Sequence, residues 1–301
     1  MSEETEKLFA ERLGRYQAAI ALEPTDRIPI ATGSNYFAEV YSGNTNQETV
    51  YDTKKWLQGE VAFCRDFPEV DVLRDNRIWG PLFDAVGLKT YKLPGRDLPP
   101  NSQFQFVEQE YMKADEYPHF LKDPSDFVTR RFLPRMFTSL KGLQKFPWFG
   151  KDGIQIGARV IAPFMDPDVQ EAISIMKKAA ELSLAPARAM METGKRLTAM
   201  GFPSLFMGFG AAPFDVLGDT LRGTRGILMD LYRCPENILK ACEKILDLTP
   251  VPEIPLGAPP LIMMPLHKGD DTHISLKQFE KFYWPTFKQI MLSISCLKVG
   301  Q

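Results

Sequence analysis

The sequence has 301 residues, of which 44% are hydrophobic and 25% are charged, and its formal net charge is −2. This composition is typical of a globular protein, and the near-neutral charge gives little support for nucleic-acid binding. The chain begins with the polar segment MSEETEKLF and has no apolar run long enough to span a bilayer. We therefore expect a cytoplasmic protein with neither a secretory signal nor a transmembrane helix, and with no membrane or nucleic-acid partner.

The cysteines predict free thiols. The four of them are far apart and form no C-x-x-C pair, which argues against a disulfide framework and against a cysteine metal site. They are Cys64, Cys234, Cys242 and Cys296.

The first part of the chain predicts two helices, each followed by a strand. Residues 4–22 and 49–67 carry apolar side chains at helical spacing, and Ile28–Ala31 and Val70–Leu73 are apolar runs of strand length. Asn35 and Tyr36 follow the first strand. They either line a pocket as substrate-binding residues or start a capped helix.

Polar side chains also follow the second strand, in the run Arg74–Arg77. The end of a buried strand is the functional face of a βα-barrel, so we predict a catalytic role for Asp75 and a substrate-binding role for Arg77. The alternative is a surface ion pair between Asp75 and a neighbouring arginine, which would contribute little to stability.

The middle of the chain predicts a strand, a loop and a long helix. Phe104–Tyr111 alternates enough to be a strand, a helix follows Asp123, and the Gly- and Pro-rich residues 147–165 predict a lid or loop. A long helical pattern then runs from 166 to 200, with an interruption expected at Pro186. Its methionines either contact a flat macrocycle or fill the core, which is their commoner use.

A strand–turn–helix pattern follows. Ser204–Phe209 has strand length, and Pro213 suits the first turn of a helix on which Asp215, Asp219 and Arg222 share a face. Charge at such a junction is typical of an active-site rim, so we predict that Phe209, Asp215 and Asp219 bind substrate. A tight connection with a solvated face fits the same spacing.

The densest reactive cluster lies after the predicted strand Leu261–Met264. Two histidines, two aspartates and a lysine occupy His267–His273, and such groups transfer protons near neutral pH. We predict that His267 and Asp270 are catalytic; the alternative is an acidic turn that caps the next helix. No HExxH motif or cysteine ligand accompanies the cluster, so we expect no zinc.

Several of these segments resemble the uroporphyrinogen decarboxylase superfamily, which also contains methyltransferases that exchange methyl groups with a corrinoid. The resemblance extends over nearly the whole chain and depends on the order and spacing of its motifs. They are GFGAAPF, LGDTLRG and Tyr232–Glu236, with Pro24–Ile30, Phe120–Asp126, His267–Asp270 and Phe279–Pro285.

The resemblance implies an α/β fold, a (β/α)8 TIM-type barrel, as a single domain over residues 1–301. It implies a small-molecule or tetrapyrrole substrate, a corrinoid-carrying partner protein and no tightly bound cofactor. It also allows a homodimer. The zinc-bearing members use a His-x-Cys and a later Cys, which this chain lacks.

Two activities follow from the resemblance: corrinoid-dependent methyl transfer and decarboxylation of uroporphyrinogen. True decarboxylases have Arg-Gln-Ala-Gly-Arg where this chain has Thr32–Tyr36, and a Tyr where it has Asp219. Their eight-carboxylate substrate requires a basic cleft, so the methyltransferase is favoured. In the decarboxylases an aspartate binds the pyrrole nitrogens, and Asp75 is its nearest match, or Arg77 if the alignment shifts.

The strand count predicts a barrel that lacks its last strands. We count six, near residues 28, 70, 104, 154, 204 and 261, whereas a closed barrel has eight. A third hypothesis is therefore a truncated, non-catalytic module, which would aggregate or bind a hydrophobic dye because its sheet has an open edge.

Overall fold

The computed structural model of the chain describes residues 2–33, 36–73, 78–147, 160–203, 207–249 and 261–296. Within these ranges the chain is mostly helical and its strands are two or three residues long. The strands are β1 (Ala31–Thr32), β2 (Val72–Leu73), β3 (Tyr91–Lys92), β4 (Gln105–Phe106), β5 (Met207–Phe209) and β6 (Leu261–Met263).

The helices include several very short ones. The α-helices are α1 (Glu3–Ile20), α2 (Phe37–Tyr41), α3 (Asn46–Tyr51), α4 (Thr53–Asp66), α5 (Gly80–Val86), α6 (Tyr117–Lys122), α7 (Pro124–Phe127), α8 (Leu133–Met136), α9 (Pro167–Ala199), α10 (Pro213–Asp215), α11 (Gly223–Arg233), α12 (Pro235–Leu248), α13 (Leu276–Gln278) and α14 (Trp284–Cys296). Val128–Phe132, Val216–Arg222 and Phe279–Tyr283 are π-helical, and Ala114–Glu116, Thr138–Lys145 and Ala162–Met165 are 3-10 helices. Among the described residues, none of the helices has the length and hydropathy needed to cross a bilayer.

The chain forms two compact units. One comprises Met1–Val86, Tyr91–Phe106 and Met176–Phe206; the other comprises Gly87–Thr90, Val107–Ile175 and Met207–Gln301. The single barrel domain over residues 1–301 stays a prediction.

The strand pairs agree with an α/β protein in part. β1 pairs with β2 and β5 with β6, both in parallel, and helices connect the strands of each pair, as parallel pairing requires. β3 and β4 form an antiparallel pair. The described strands form three separate pairs, so the closed eight-stranded barrel is not confirmed. The strand expected near 154 lies outside the described residues.

A buried carboxylate aligns the parallel pair of the first unit. Asp71 is fully buried and accepts hydrogen bonds from the guanidinium of Arg27, at 2.7 Å, and from the backbone N–H of Ile30, at 2.8 Å. Arg15 pairs with the same carboxylate. Because Asp71 directly precedes β2 and Ile30 directly precedes β1, these bonds place the two strands side by side.

The core of the second unit is built on aromatic and aliphatic side chains from its helices. Phe214 and Leu217, which follow β5, are fully buried and pack with side chains from α6, α7, α11, α12 and Phe279–Tyr283. The largest fully buried side chains of this cluster are Met112, Tyr117, Phe127, Phe214, Leu217, Ile227, Ile238 and Tyr283. This packing anchors the segment after β5 against the rest of the unit.

Two expectations for α9 are wrong. The helix continues through Pro186 without a break, although proline removes one backbone hydrogen bond. The methionines of α9 also do not fill the core, since Met176, Met190 and Met191 are 45%, 58% and 62% exposed. Their exposure leaves an apolar face of α9 in contact with solvent.

We expect Gly142→Ala to destabilise the second unit by about 3 kcal/mol, because an overpacked site forces the backbone to move. A Cβ at Gly142 would lie 1.9 Å from the carbonyl oxygen of Asp168. The matched control is Gly14→Ala in α1, where nothing lies within 4 Å of the added atom and the change favours the helix. Urea unfolding should show a lower midpoint for the first variant only; equal midpoints would contradict the packing described.

Candidate functional site

The candidate site lies where two neighbouring parallel strands end. Because β5 and β6 run in parallel, the segments that follow them leave the same edge of the pair. The segment after β5 carries Asp215 and Asp219, and the segment after β6 carries His267 and Lys268. The structure brings these four residues together.

Asp215 fixes the backbone of the loop after β6. Its carboxylate is 2% exposed and accepts hydrogen bonds from the backbone N–H groups of His267, at 3.1 Å, and Lys268, at 2.9 Å. The Tyr283 hydroxyl donates a third bond, at 2.7 Å. Both carboxylate oxygens therefore bind protein groups and position the loop, while a substrate-binding role for Asp215 stays a prediction.

Asp219 connects the two side chains that Asp215 has placed. Its Oδ2 is 2.7 Å from Nδ1 of His267, and its Oδ1 accepts a hydrogen bond from Nζ of Lys268. The His267 side chain is 58% exposed, and within the described ranges its ring is hydrogen-bonded through Nδ1 alone. When Nδ1 donates to the carboxylate, Nε2 carries the lone pair of the neutral ring, and no hydrogen bond to Nε2 comes from the described residues.

Lys268 is the buried cation of the site. Its side chain is 5% exposed, and Nζ lies between Asp219 and Glu108, whose Oε1 is 3.8 Å away. A buried ammonium is costly unless carboxylates compensate it, and two of them do so here. Lys268 thereby holds the carboxylate that orients His267.

Two glycines make room for this arrangement. A Cβ at Gly218 would lie 2.8 Å from Cδ of Lys268, and one at Gly269 would lie 2.8 Å from Cζ of Tyr283. The lysine stem and the tyrosine ring therefore pack directly on backbone, and a larger residue at either position would displace a member of the site.

The Tyr283 hydroxyl keeps its proton and donates a hydrogen bond to Asp215 throughout the physiological pH range. Burial raises the pKa of the Tyr283 hydroxyl, and the hydrogen bond to the Asp215 carboxylate raises it further. Tyr283 lies at the end of the π-helical segment Phe279–Tyr283, and π-helical turns occur frequently at functional sites.

Asp270 mainly caps its own turn. Its Oδ1 accepts hydrogen bonds from the Thr272 hydroxyl, at 2.7 Å, and from the His273 ring, at 2.8 Å. These bonds, the Thr272 bond first, lower the pKa of Asp270 to about 2. The next helix, α13, is capped by Ser275 instead, so Asp270 does not cap it as the alternative expected, and a catalytic role for Asp270 stays a prediction.

The other predicted site residues are Asn35, Tyr36, Asp75, Arg77 and Phe209. Asn35, Asp75 and Arg77 lie outside the described residues. Phe209 is the last residue of β5. Tyr36 belongs to the first unit, where its hydroxyl accepts a hydrogen bond from the backbone N–H of Phe104, at 3.3 Å.

The expectation that Asp215, Asp219 and Arg222 share one helix face is wrong for Arg222. Val216–Arg222 is π-helical rather than α-helical, so residues three and four apart no longer stack as they do in an α-helix. Arg222 lies against Asp230 instead, with Nε 2.5 Å from Oδ2. Sequence reasoning also missed Glu108, for which the chain offers no local signal.

A cleft of about 430 Å³ adjoins the site in the second unit. It shares Glu108 with the Lys268 ion pair, and its other walls include Arg222, Arg225 and Arg233. A cleft of about 810 Å³ in the first unit, between α4 and residues 192–196 of α9, contains none of the predicted site residues. Of these two clefts, only the smaller one shares a residue with the candidate site, so it is the better candidate for binding a small substrate.

Comparison with known proteins adds no family assignment. No protein-family model matches the chain, and no curated protein and no solved structure matches it with statistical significance. The described residues contain no group of three or more His, Cys, Asp or Glu side chains arranged for a metal ion.

Proposed function

We propose that this protein is an enzyme of the uroporphyrinogen decarboxylase type that transfers a methyl group between a small substrate and a corrinoid carried by a partner protein. The observation that supports an enzyme is the His267–Asp219 pair, with 2.7 Å between Nδ1 and Oδ2 and an exposed ring. A carboxylate that orients one ring nitrogen prepares the other for proton transfer. The reaction class comes from the sequence resemblance.

His267 is the proton-transfer group in this proposal. An oxygen, nitrogen or sulfur atom that gives up a methyl group must gain a proton, and an atom that accepts one must lose it. Nε2 of His267 exchanges that proton while Asp219 holds the ring. Lys268 compensates the charge of Asp219 and, with Asp215 on the backbone, keeps the pair in place.

The described side chains are compatible with a corrinoid on a second protein. Such a partner requires a reaction centre that is open to solvent, and His267 and Leu266 are 58% and 47% exposed. The corrinoid would supply the metal that carries the methyl group. The contribution of this chain is to bind the small substrate in the adjoining cleft, to position it, and to handle its proton.

The charge balance favours this activity over decarboxylation of uroporphyrinogen. Asp215, Asp219 and Glu108 surround a single lysine, and Asp270 adds a further exposed carboxylate nearby in the chain. The adjoining cleft does not change this balance, because it is lined by three acidic and three basic side chains. A substrate with eight carboxylates would therefore meet no excess of positive charge.

We expect His267→Gln to slow methyl transfer by about 10²- to 10⁴-fold, the usual contribution of a general acid or base. Free methylcobalamin replaces the partner-bound corrinoid, and the loss of its absorption spectrum is followed with thiol, amine and phenol acceptors. The matched control is His273→Gln, because His273 lies on the same loop but bonds to Asp270, and it should keep the wild-type rate.

Two results would contradict the proposal. Equal rates for the His267 and His273 variants would remove His267 from the chemistry. A wild-type protein that leaves methylcobalamin unchanged and converts uroporphyrinogen would replace methyl transfer by decarboxylation.

A further inference from the structure

The apolar face of α9 forms a continuous stripe in the first unit. Met176, Ala180, Leu184, Ala187 and Met191 follow one another at spacings of three and four residues, so they lie along one side of the helix. All five are exposed, Leu184 by 52% and Met191 by 62%. A contiguous apolar surface bordered by charges is typical of an interaction site.

Four charged residues border the stripe along one edge. Lys177, Glu181, Arg188 and Glu192 each stand one position after a stripe residue other than Leu184, and their charges alternate in sign. Within the described residues, the first three form no ion pair, and Glu192 pairs with Arg196 at 2.9 Å. The edge therefore offers both signs of charge to a partner.

The order of these charges is self-complementary. A twofold axis perpendicular to α9 that passes between Leu184 and Ala185 places Lys177 opposite Glu192, and Glu181 opposite Arg188. The same axis brings Leu184 against its own counterpart, while the small side chains of Ala180 and Ala187 allow two helices to approach closely. An antiparallel second copy of the same helix therefore satisfies both charge pairs at once.

We propose that α9 packs antiparallel on α9 of a second copy of this chain, about an axis between Leu184 and Ala185. The stripe from Met176 to Met191 is about 22 Å long at 1.5 Å per residue. One helix face of this length is a small interface, so the dimer dissociates on dilution. The flexible methionines let the two surfaces adapt to each other. This proposal is independent of the chemistry at His267.

Charge reversal tests the orientation as well as the contact. Glu181→Arg sets two cations against each other on both sides of the axis, and Arg188→Glu sets two anions. Each variant alone should weaken dimerisation by about tenfold, since two exposed ion pairs become repulsive. An equimolar mixture of the two variants should regain the wild-type affinity, because every opposed pair then has unlike charges.

The measurement is sedimentation equilibrium over about 1 µM to 1 mM, a range that brackets weak complexes. Lys178→Glu, on the opposite side of α9, is the matched control and should not change the affinity, whereas Leu184→Glu should abolish dimerisation. Circular dichroism checks that each variant remains folded. A wild-type chain that stays monomeric throughout, or a mixture that associates no better than either variant alone, would overturn the proposal.

Discussion

Asp215→Ala is expected to disorder the loop that carries His267 and to destabilise the second unit by about 3–5 kcal/mol. The substitution leaves two backbone N–H groups and the Tyr283 hydroxyl without their acceptor in a buried position. Each unsatisfied buried donor costs about 1–3 kcal/mol, less what water can recover. Methyl transfer should also fall, because His267 loses its fixed distance from Asp219.

Tyr283→Phe is the matched control for this prediction. It removes one of the three donors and keeps the carboxylate, so the two backbone N–H groups remain bonded to Asp215. Amide hydrogen exchange separates the two variants: the N–H groups of His267 and Lys268 should exchange faster in Asp215→Ala and stay protected in Tyr283→Phe. Unchanged protection in Asp215→Ala would show that another group holds the loop.

The sequence predicts long regular elements well. The predicted helix over residues 4–22 is α1 (Glu3–Ile20). The helix predicted over 49–67 consists of two, because the Asp52 side chain caps α4 and ends α3 there. Local periodicity identifies such helices, since each buries one face, but it does not reveal a capped break.

Five of the six predicted strands overlap a strand of the structure but have the wrong extents, β3 was missed, and the strand near 154 lies outside the described residues. The first one was expected at Ile28–Ala31, yet β1 covers Ala31–Thr32 and Ile28 is 84% exposed. The backbone of Ile30, just before β1, is held by the Asp71 carboxylate and by the backbone N–H groups of Asp71 and Val72. Asp71 is distant from Ile30 in the sequence, so no local sequence pattern predicts the contact.

The candidate site was predictable as far as it follows from chain order. Residues after consecutive parallel strands meet at one edge, and this rule alone associates Asp215 and Asp219 with His267. It does not give their roles, which depend on burial: the buried Asp215 binds backbone, while the half-exposed Asp219 binds side chains. Nor does it find Glu108, which reaches Lys268 from a distant segment.

The buried ion pair of Arg222 and Asp230 should contribute the other large effect on stability. Arg222 is 3% exposed and bonds through Nε and Nη2 to Asp230, at 2.5 and 3.2 Å, while the Tyr117 hydroxyl donates to the same carboxylate at 2.8 Å. Burial opposes the charge on Arg222, but its hydrogen bonds to Asp230 and Glu110 raise its pKa overall. The Arg222 guanidinium therefore stays charged, and the buried Asp230 side chain is its carboxylate partner in the core.

Removing either partner alone is expected to cost about 3–5 kcal/mol, because a buried charge is left without compensation. Asp230→Leu leaves the guanidinium of Arg222 without its carboxylate partner. Arg222→Met leaves the Asp230 carboxylate, beside Tyr117, without a cation. The double variant removes both charges and fills the space with apolar atoms, so it should be less destabilised than either single variant. Chemical unfolding of the four proteins gives the coupling energy; additive losses would mean that the pair is already compensated by water or by Glu110.

The same single variants should also disturb the orientation of His267. Arg222 ends the π-helical segment that also carries Asp219, so a change at Arg222 or Asp230 is expected to move Asp219. Tyr117→Phe should leave the orientation of His267 intact.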